Sequence, residues 1–172
     1  QSTWTFFTIE KFNWGEDIVG YSLGFIGLLA AIVQGGLIRV IIPKLGNIKS
    51  VYFGMVFYIL GLILISLAQE SWMIFAFAIP LSLGGICGPA LQGIMTNNIP
   101  DDEQGEFQGG MTSLISLTAI IGPLLMTNLF SHFTSESTYF YFPGAPFMLG
   151  AVLSIFGLVI AIKFLSGSKI KY

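Results

Sequence analysis

Five apolar runs of membrane length, separated by short polar stretches, set the pattern of this 172-residue chain. They cover residues 18–42, 51–68, 72–95, 108–130 and 143–165. Each is nearly free of charge and close to the roughly 20 residues that a helix needs to cross a hydrocarbon core. Strands fit poorly, because the runs lack period-2 alternation and exceed the roughly 10 residues of a barrel strand. The pattern predicts five transmembrane helices. Residues 1–17 mix Trp4, Phe6, Phe7, Phe12 and Trp14 with Glu10, Lys11, Glu16 and Asp17. That mixture reads as the last turns of a sixth helix entering an interfacial aromatic belt, followed by a polar loop.

Small and polar residues recur inside the runs at helical spacing. On the first they are Gly20, Gly24, Gly27, Ala31 and Gln34; on the third, Ser82, Gly85, Pro89, Gln92 and Thr96. On the fourth, Thr112 or Ser113, Ser116, Ile120 and Thr127 share a face. Such stripes are expected to turn inward, either for close helix packing or to line a wet cavity. An amide near mid-membrane needs partners, which a cavity or an interhelical hydrogen bond can supply. For Gln34 and Gln92 both readings stay open.

Composition sharpens the class. Apolar residues make up 54% and charged residues 9% of the chain, against about a quarter charged in a soluble domain. Mean hydropathy is +0.82. This is an integral, multi-pass membrane protein, with membrane lipid as its first partner. A net charge of −2 with 7 Lys and Arg excludes the clustered basic face of a nucleic-acid binder. The single cysteine, Cys87, cannot form an internal disulfide. Gln1 opens the chain without a basic region or cleavage site, which suggests a fragment or a processed form.

Basic residues give an orientation. Arg39, Lys44 and Lys49 flank the first connection, and Lys163, Lys169 and Lys171 follow the last run; Lys11 alone falls on the opposite side of an alternating topology. The positive-inside rule then puts the C-terminus in the cytoplasm. The acidic loop Pro100-Asp101-Asp102-Glu103 reads as a helix start, with acids at the favourable end of the dipole, rather than as a calcium loop. His132 reads as an interfacial residue, and Tyr139-Phe140-Tyr141-Phe142 as an outer aromatic belt or a loop lid. Gly88-Pro89 and Gly122-Pro123 are expected to kink their helices. No nucleophile–base pair, metal-ligand set or phosphate loop stands out, so the chain does not read as an enzyme and implies no cofactor or metal.

Three stretches carry a resemblance: Gly84-Gly85-Ile86-x-Gly88-Pro89-Ala90-Leu91-Gln92, then Gln104-Gly105-Glu106-x-Gln108-Gly109, then Ile120-Ile121-Gly122-Pro123-Leu124-Leu125. Together they resemble the C-terminal half of the major facilitator superfamily, most closely its tetracycline-antiporter branch. Phe12-Asn13-Trp14 and Gly20-x-Ser22-Leu23 fit the same branch, so residues 1–172 read as one transmembrane half-domain. The resemblance implies an all-α fold: a six-helix half of a twelve-helix transporter, here five full helices and the end of a sixth. Its substrate sits between halves that rock to alternate access. It implies a missing N-terminal six-helix half as partner, a small-molecule substrate, and protons as a coupling ion. The bacterial inner membrane is the expected location.

Under that resemblance Gln34, Gln92 and Ser116 become substrate-binding candidates. Arg39, Lys44, Gly46 and Lys49 look like a degenerate copy of the superfamily's cytoplasmic gating loop, with Pro43 where an acid usually stands. The plainer reading is a solvated basic loop that sets topology. Two departures count against tetracycline itself as the cargo. Where antiporters of this branch carry a membrane-embedded His and a ninth-helix Asp, this chain has Ala30 and Tyr58. The expected function is efflux of an amphipathic compound. Uptake of a sugar or metabolite is the alternative within transport, and a non-transporting receptor or assembly subunit is the alternative outside it.

Overall fold

The computed structural model describes residues 2–135, 138 and 140–167. The described residues form α1 (Ser2–Phe12), α2 (Glu16–Ile32), α3 (Ile38–Leu45), α4 (Asn47–Leu67), α5 (Ser71–Leu83), α6 (Cys87–Asn97), α7 (Gln104–Thr134) and α8 (Ala145–Gly167). A π-helical turn, Val33–Leu37, joins α2 to α3, and a 3₁₀ turn, Gly84–Ile86, joins α5 to α6. Five continuous helical stretches are therefore long and apolar enough to cross a membrane: Glu16–Leu45, Asn47–Leu67, Ser71–Asn97, Gln104–Thr134 and Ala145–Ser166. They extend past several of the apolar runs because polar residues form their end turns. Glu16 and Asp17 occupy the first turn of α2, where the helix dipole favours acids. Gly46, at φ +78°, makes the reversal between α3 and α4, a conformation that costs any residue with a Cβ.

The main core lies at one end of the bundle. Trp4, Phe7, Trp14, Val19, Ile65, Ala68 and Ile74 are buried together there, with Phe147 and Phe130 packed against them. Trp4 and Trp14 are 7% and 5% exposed, so these two tryptophans are core residues and not the interfacial belt expected from sequence. Each indole has a hydroxyl partner: Trp4 Nε1 donates to Ser22 Oγ at 3.1 Å, and Trp14 Nε1 donates to Ser71 Oγ at 3.0 Å. A buried indole N–H needs such an acceptor. A smaller core of Val51, Ala90 and Ile94 closes the opposite end.

Glycines set how closely α4 approaches its neighbours. A Cβ added at Gly54 would lie 2.6 Å from the Cys87 amide nitrogen, and one at Gly61 would lie 2.6 Å from Leu81 Cα. Small residues at helix contacts let backbones meet in this way. On its other side α4 runs antiparallel to α8, as Ser66 beside Gly144, Met55 beside Gly157 and Tyr52 beside Ser166 show.

The small-residue stripe of α2 does the opposite of packing. Gly20, Gly24, Gly27, Ala31 and Gln34 are all exposed, and an added Cβ at any of the three glycines would meet nothing within 4 Å. Of the two readings from sequence, packing within this chain does not hold: the stripe faces away from the rest of the described chain, as lining a cavity would also require. The close contacts of α4 are carried by Gly54 and Gly61 on its own surface and by Gly84 against Tyr58 and Gly144 against Ser66. On α7 no residue is buried; Leu114, Ile120 and Leu124 are 61%, 66% and 63% exposed. Apolar area of that extent needs lipid or another helix bundle to cover it.

A candidate substrate crevice between α6 and α7

Two irregular turns meet beside Gln34. Pro89 has no N–H to donate to the Gly85 carbonyl four residues back, and its ring crowds that carbonyl. The chain answers with the 3₁₀ turn at Gly84–Ile86, immediately before α6. Opposite it, Val33-Gln34-Gly35-Gly36-Leu37 widens into the π turn. Gln34 Nε2 lies 3.9 Å from where a Gly85 Cβ would stand. Such π turns occur often at functional positions. Sequence named Gly88-Pro89 as a helix kink, and the 3₁₀ turn lies around Gly85, four residues before Pro89, where the missing N–H acts. Sequence did not foresee the π turn, although the Gly35-Gly36 doublet was visible. At Gly122-Pro123 α7 continues as one helix through the proline.

Gln92 lines a crevice of about 340 Å³ between α6 and α7, together with Gly88, Pro89, Leu91, Met95, Phe107, Gln108, Met111, Thr112 and Ile115. Phe107 and Met111 also border an adjoining hollow of about 580 Å³, where Ile99, Glu103, Glu106, Gly110 and Leu114 complete the wall. The crevice thus runs from an apolar wall that bears the exposed amides of Gln92 and Gln108 toward the two exposed carboxylates of Glu103 and Glu106. Polar groups on α7 and around the crevice divide into two kinds. Ser113, Ser116, Thr118 and Asn128 donate to carbonyls of their own helix, those of Gly109, Thr112, Ile115 and Leu124, as polar side chains in apolar helices commonly do. Gln34, Gln92, Gln108 and the Thr112 hydroxyl have no hydrogen-bond partner among the described residues. An unpartnered amide costs about 1–3 kcal/mol when water is taken from it, so these groups favour a wet surface.

Of the three substrate-binding candidates, only Gln92 lines this crevice. Ser116 is exposed on the same helix as Thr112, one turn along, with its proton committed to the Thr112 carbonyl. Gln34 stands apart, at the paired irregular turns. Gln108 and Thr112 are wall residues that sequence did not rank as site residues; their spacing of four with Ser116 was the available signal. Among the loop candidates, Arg39, Lys44 and Lys49 are exposed and make no ion pair among the described residues, and Gly46 is the helix reversal. The adjoining Asn47 side chain reaches α6, its Nδ2 lying 3.5 Å from where a Gly93 Cβ would be. The connection therefore touches the helix that carries Gln92.

The two ends of the bundle differ in charge. Arg39, Lys44, Lys49 and Lys163 gather at the end of the small core with Asp101, Asp102, Glu103 and Glu106, while Glu10, Glu16, Asp17 and Glu70 outnumber Lys11 at the main-core end; Lys169 and Lys171 lie outside the described residues, as does Tyr139 of the aromatic tetrad. At the other end Lys11 Nζ sits 5.5 Å from the Phe7 ring centre. There Tyr141 Oη donates to Glu10 Oε1 at 3.0 Å, tying the α7–α8 loop to α1. Partial burial raises the Tyr141 pKa above its ordinary value, and the Glu10 carboxylate raises it further. The acidic loop forms a turn before α7, with Gln104 Nε2 donating to Asp101 Oδ1 at 3.0 Å.

Comparison with known proteins agrees with this architecture. The family model described as Major Facilitator Superfamily matches residues 2–170. A tetracycline resistance protein of class C from Escherichia coli is 35% identical over 87% of this chain and 37% of its own length. One of class G from Vibrio anguillarum is 34% identical over 91% of this chain and 39% of its own length. The human hippocampus abundant transcript-like protein 1 is 24% identical over 89% of this chain and 33% of its own length. The chain thus spans less than two fifths of the length of each of these relatives. No solved structure matches. Five apolar spans, an α6–α7 hairpin with unpartnered amides and a match along nearly its whole length have one reading: the chain is a membrane protein of the major facilitator superfamily.

Proposed function

We propose that this chain forms one half of a secondary transporter that moves a small amphipathic molecule outward by alternating access. The observation that carries the reading is the α6–α7 crevice. It sets the unpartnered side chains of Gln92, Gln108 and Thr112 in an apolar wall of Leu91, Met95, Phe107, Met111 and Ile115. Cavities of that kind bind by apolar burial and orient by a few polar groups. The bare glycine stripe of α2 and the unburied length of α7 fit the second half-domain against which this one rocks. Gln34 would reach the shared cavity from the π turn, and Ser116 would add an acceptor deeper along α7.

The end that carries Arg39, Lys44, Lys49 and Lys163 is proposed as cytoplasmic, with the protein in a bacterial inner membrane. The Arg39–Lys49 connection would act there as a latch on α6, through Asn47 and Gly93. No Asp, Glu, His or Lys lies in the central part of a span, so proton coupling would draw its ionisable groups from the other half.

Everted membrane vesicles containing the full gene product test this. Accumulation of tetracycline and of other amphipathic antibiotics is measured with and without an imposed proton gradient. Accumulation of at least one compound above control vesicles is expected, reduced by Gln92→Ala. No accumulation of any compound would remove the transport reading, and accumulation indifferent to the gradient would remove proton coupling.

A further inference from the structure

At the end of the small core, α4 and α8 share a lysine-flanked notch of which the transport reading uses Lys49 alone. The Tyr52 and Ser166 hydroxyls are hydrogen-bonded at 3.3 Å, and Leu165 packs against the Val51 core just behind them. Lys49 precedes Tyr52 by three residues on α4, and Lys163 precedes Ser166 by three on α8, so each lysine shares a face with its hydroxyl. Both lysines are exposed and unpaired among the described residues. Because the helices are antiparallel, Lys49 lies outward of the hydroxyl pair and Lys163 about one turn inward. Lys163, four residues from the end of α8, can extend its long side chain toward the headgroup layer, where an anion would meet it.

We propose that this notch binds the headgroup of an anionic phospholipid. The lysines neutralise the phosphodiester from two helices. Whichever hydroxyl accepts the Tyr52–Ser166 bond keeps its own proton to donate to a phosphate oxygen. Val56, one turn on from Tyr52, and Val159, one turn before Lys163, are 50% and 54% exposed and would carry the acyl chains. The site requires only that α4 and α8 span a membrane, and it stands or falls independently of transport.

The full gene product, purified in neutral detergent, is titrated with phosphatidylglycerol against a phosphatidylcholine background, and its thermal midpoint is read. The midpoint should rise with phosphatidylglycerol and not with phosphatidylcholine. Lys49→Gln with Lys163→Gln should weaken the half-saturating concentration by roughly tenfold or more, while Lys49→Arg with Lys163→Arg should keep it. The midpoint in phosphatidylcholine should be unchanged in both double variants, because neither lysine has a protein partner among the described residues. Equal stabilisation of wild type and the glutamine variant would overturn the site, as would an equal response to both lipids. Displacement of the lipid by millimolar inorganic phosphate would identify a free-anion site and also overturn the proposal. Should the glutamine variant fail to fold, native mass spectrometry of the wild type decides: preferential retention of phosphatidylglycerol supports the site, and its absence refutes it.

Discussion

Gly54 of α4 and Cys87 of α6 meet backbone to backbone, so closely that a Cβ on the glycine would lie 2.6 Å from the Cys87 amide nitrogen. The contact falls at the start of α6, immediately after the 3₁₀ turn, and fixes the helix that carries Gln92. Rigid backbone is the obstacle there, so a larger side chain cannot be accommodated by a rotamer change. Gly54→Leu and Gly61→Leu should each lower stability by about 1–3 kcal/mol or more, read as a drop in thermal midpoint in detergent. Gly24→Ala on the open stripe of α2 should leave the midpoint at or above wild type, because nothing lies within 4 Å of its added methyl and alanine is the better helix former.

The Trp4–Ser22 hydrogen bond joins α1 to α2 inside the main core. Ser22→Ala leaves the indole N–H without its acceptor at a site where Ser22 is 1% exposed. Loss of about 1–3 kcal/mol is expected, since a buried donor stays unsatisfied. Trp4→Phe with Ser22→Ala removes both partners, and its cost should fall short of the sum of the two single changes. Chemical denaturation in mixed micelles checks the cycle.

Tyr141 gives a pH dependence with a definite sign. Its pKa is raised in the folded chain, so the protonated phenol is favoured by folding. The Tyr141–Glu10 link therefore contributes fully below the ordinary tyrosine pKa of about 10 and is lost as pH climbs through the raised value. Wild type should exceed Tyr141→Phe in thermal midpoint by a constant margin from pH 7 to about 9, and the margin should shrink at higher pH. A margin that grows with pH would contradict the assignment.

The spans were legible because apolar length is a property of single segments. The 3–4 spacing of Gly20, Gly24 and Gly27 correctly marked one face of α2, but spacing cannot say what covers a face. Among the described residues nothing does, while Gly54 and Gly61, seven residues apart on α4, make tight contacts with α6 and α5. Trp4 and Trp14 were misplaced for a related reason. An indole suits either an interface or a core, and only the positions of Ser22 and Ser71 decide between them. Gln92 was legible as an isolated amide in an apolar run. Gln108 escaped because it sits near a polar loop, where a glutamine is unremarkable until α7 is laid beside α6. The π turn escaped because a helical register gained by one residue leaves no mark on hydropathy.

The crevice itself is best tested by water access. In a Cys87→Ser background, single cysteines replace Gln92, Gln108, Thr112 and, as lipid-facing controls, Val56 and Val159, in the full gene product. Labelling by a membrane-impermeant maleimide is then followed over time in open membranes. Positions 92, 108 and 112 should label readily and the two controls should stay protected. Protection of all three crevice positions, to the same degree as 56 and 159, would contradict a water-filled substrate path between α6 and α7.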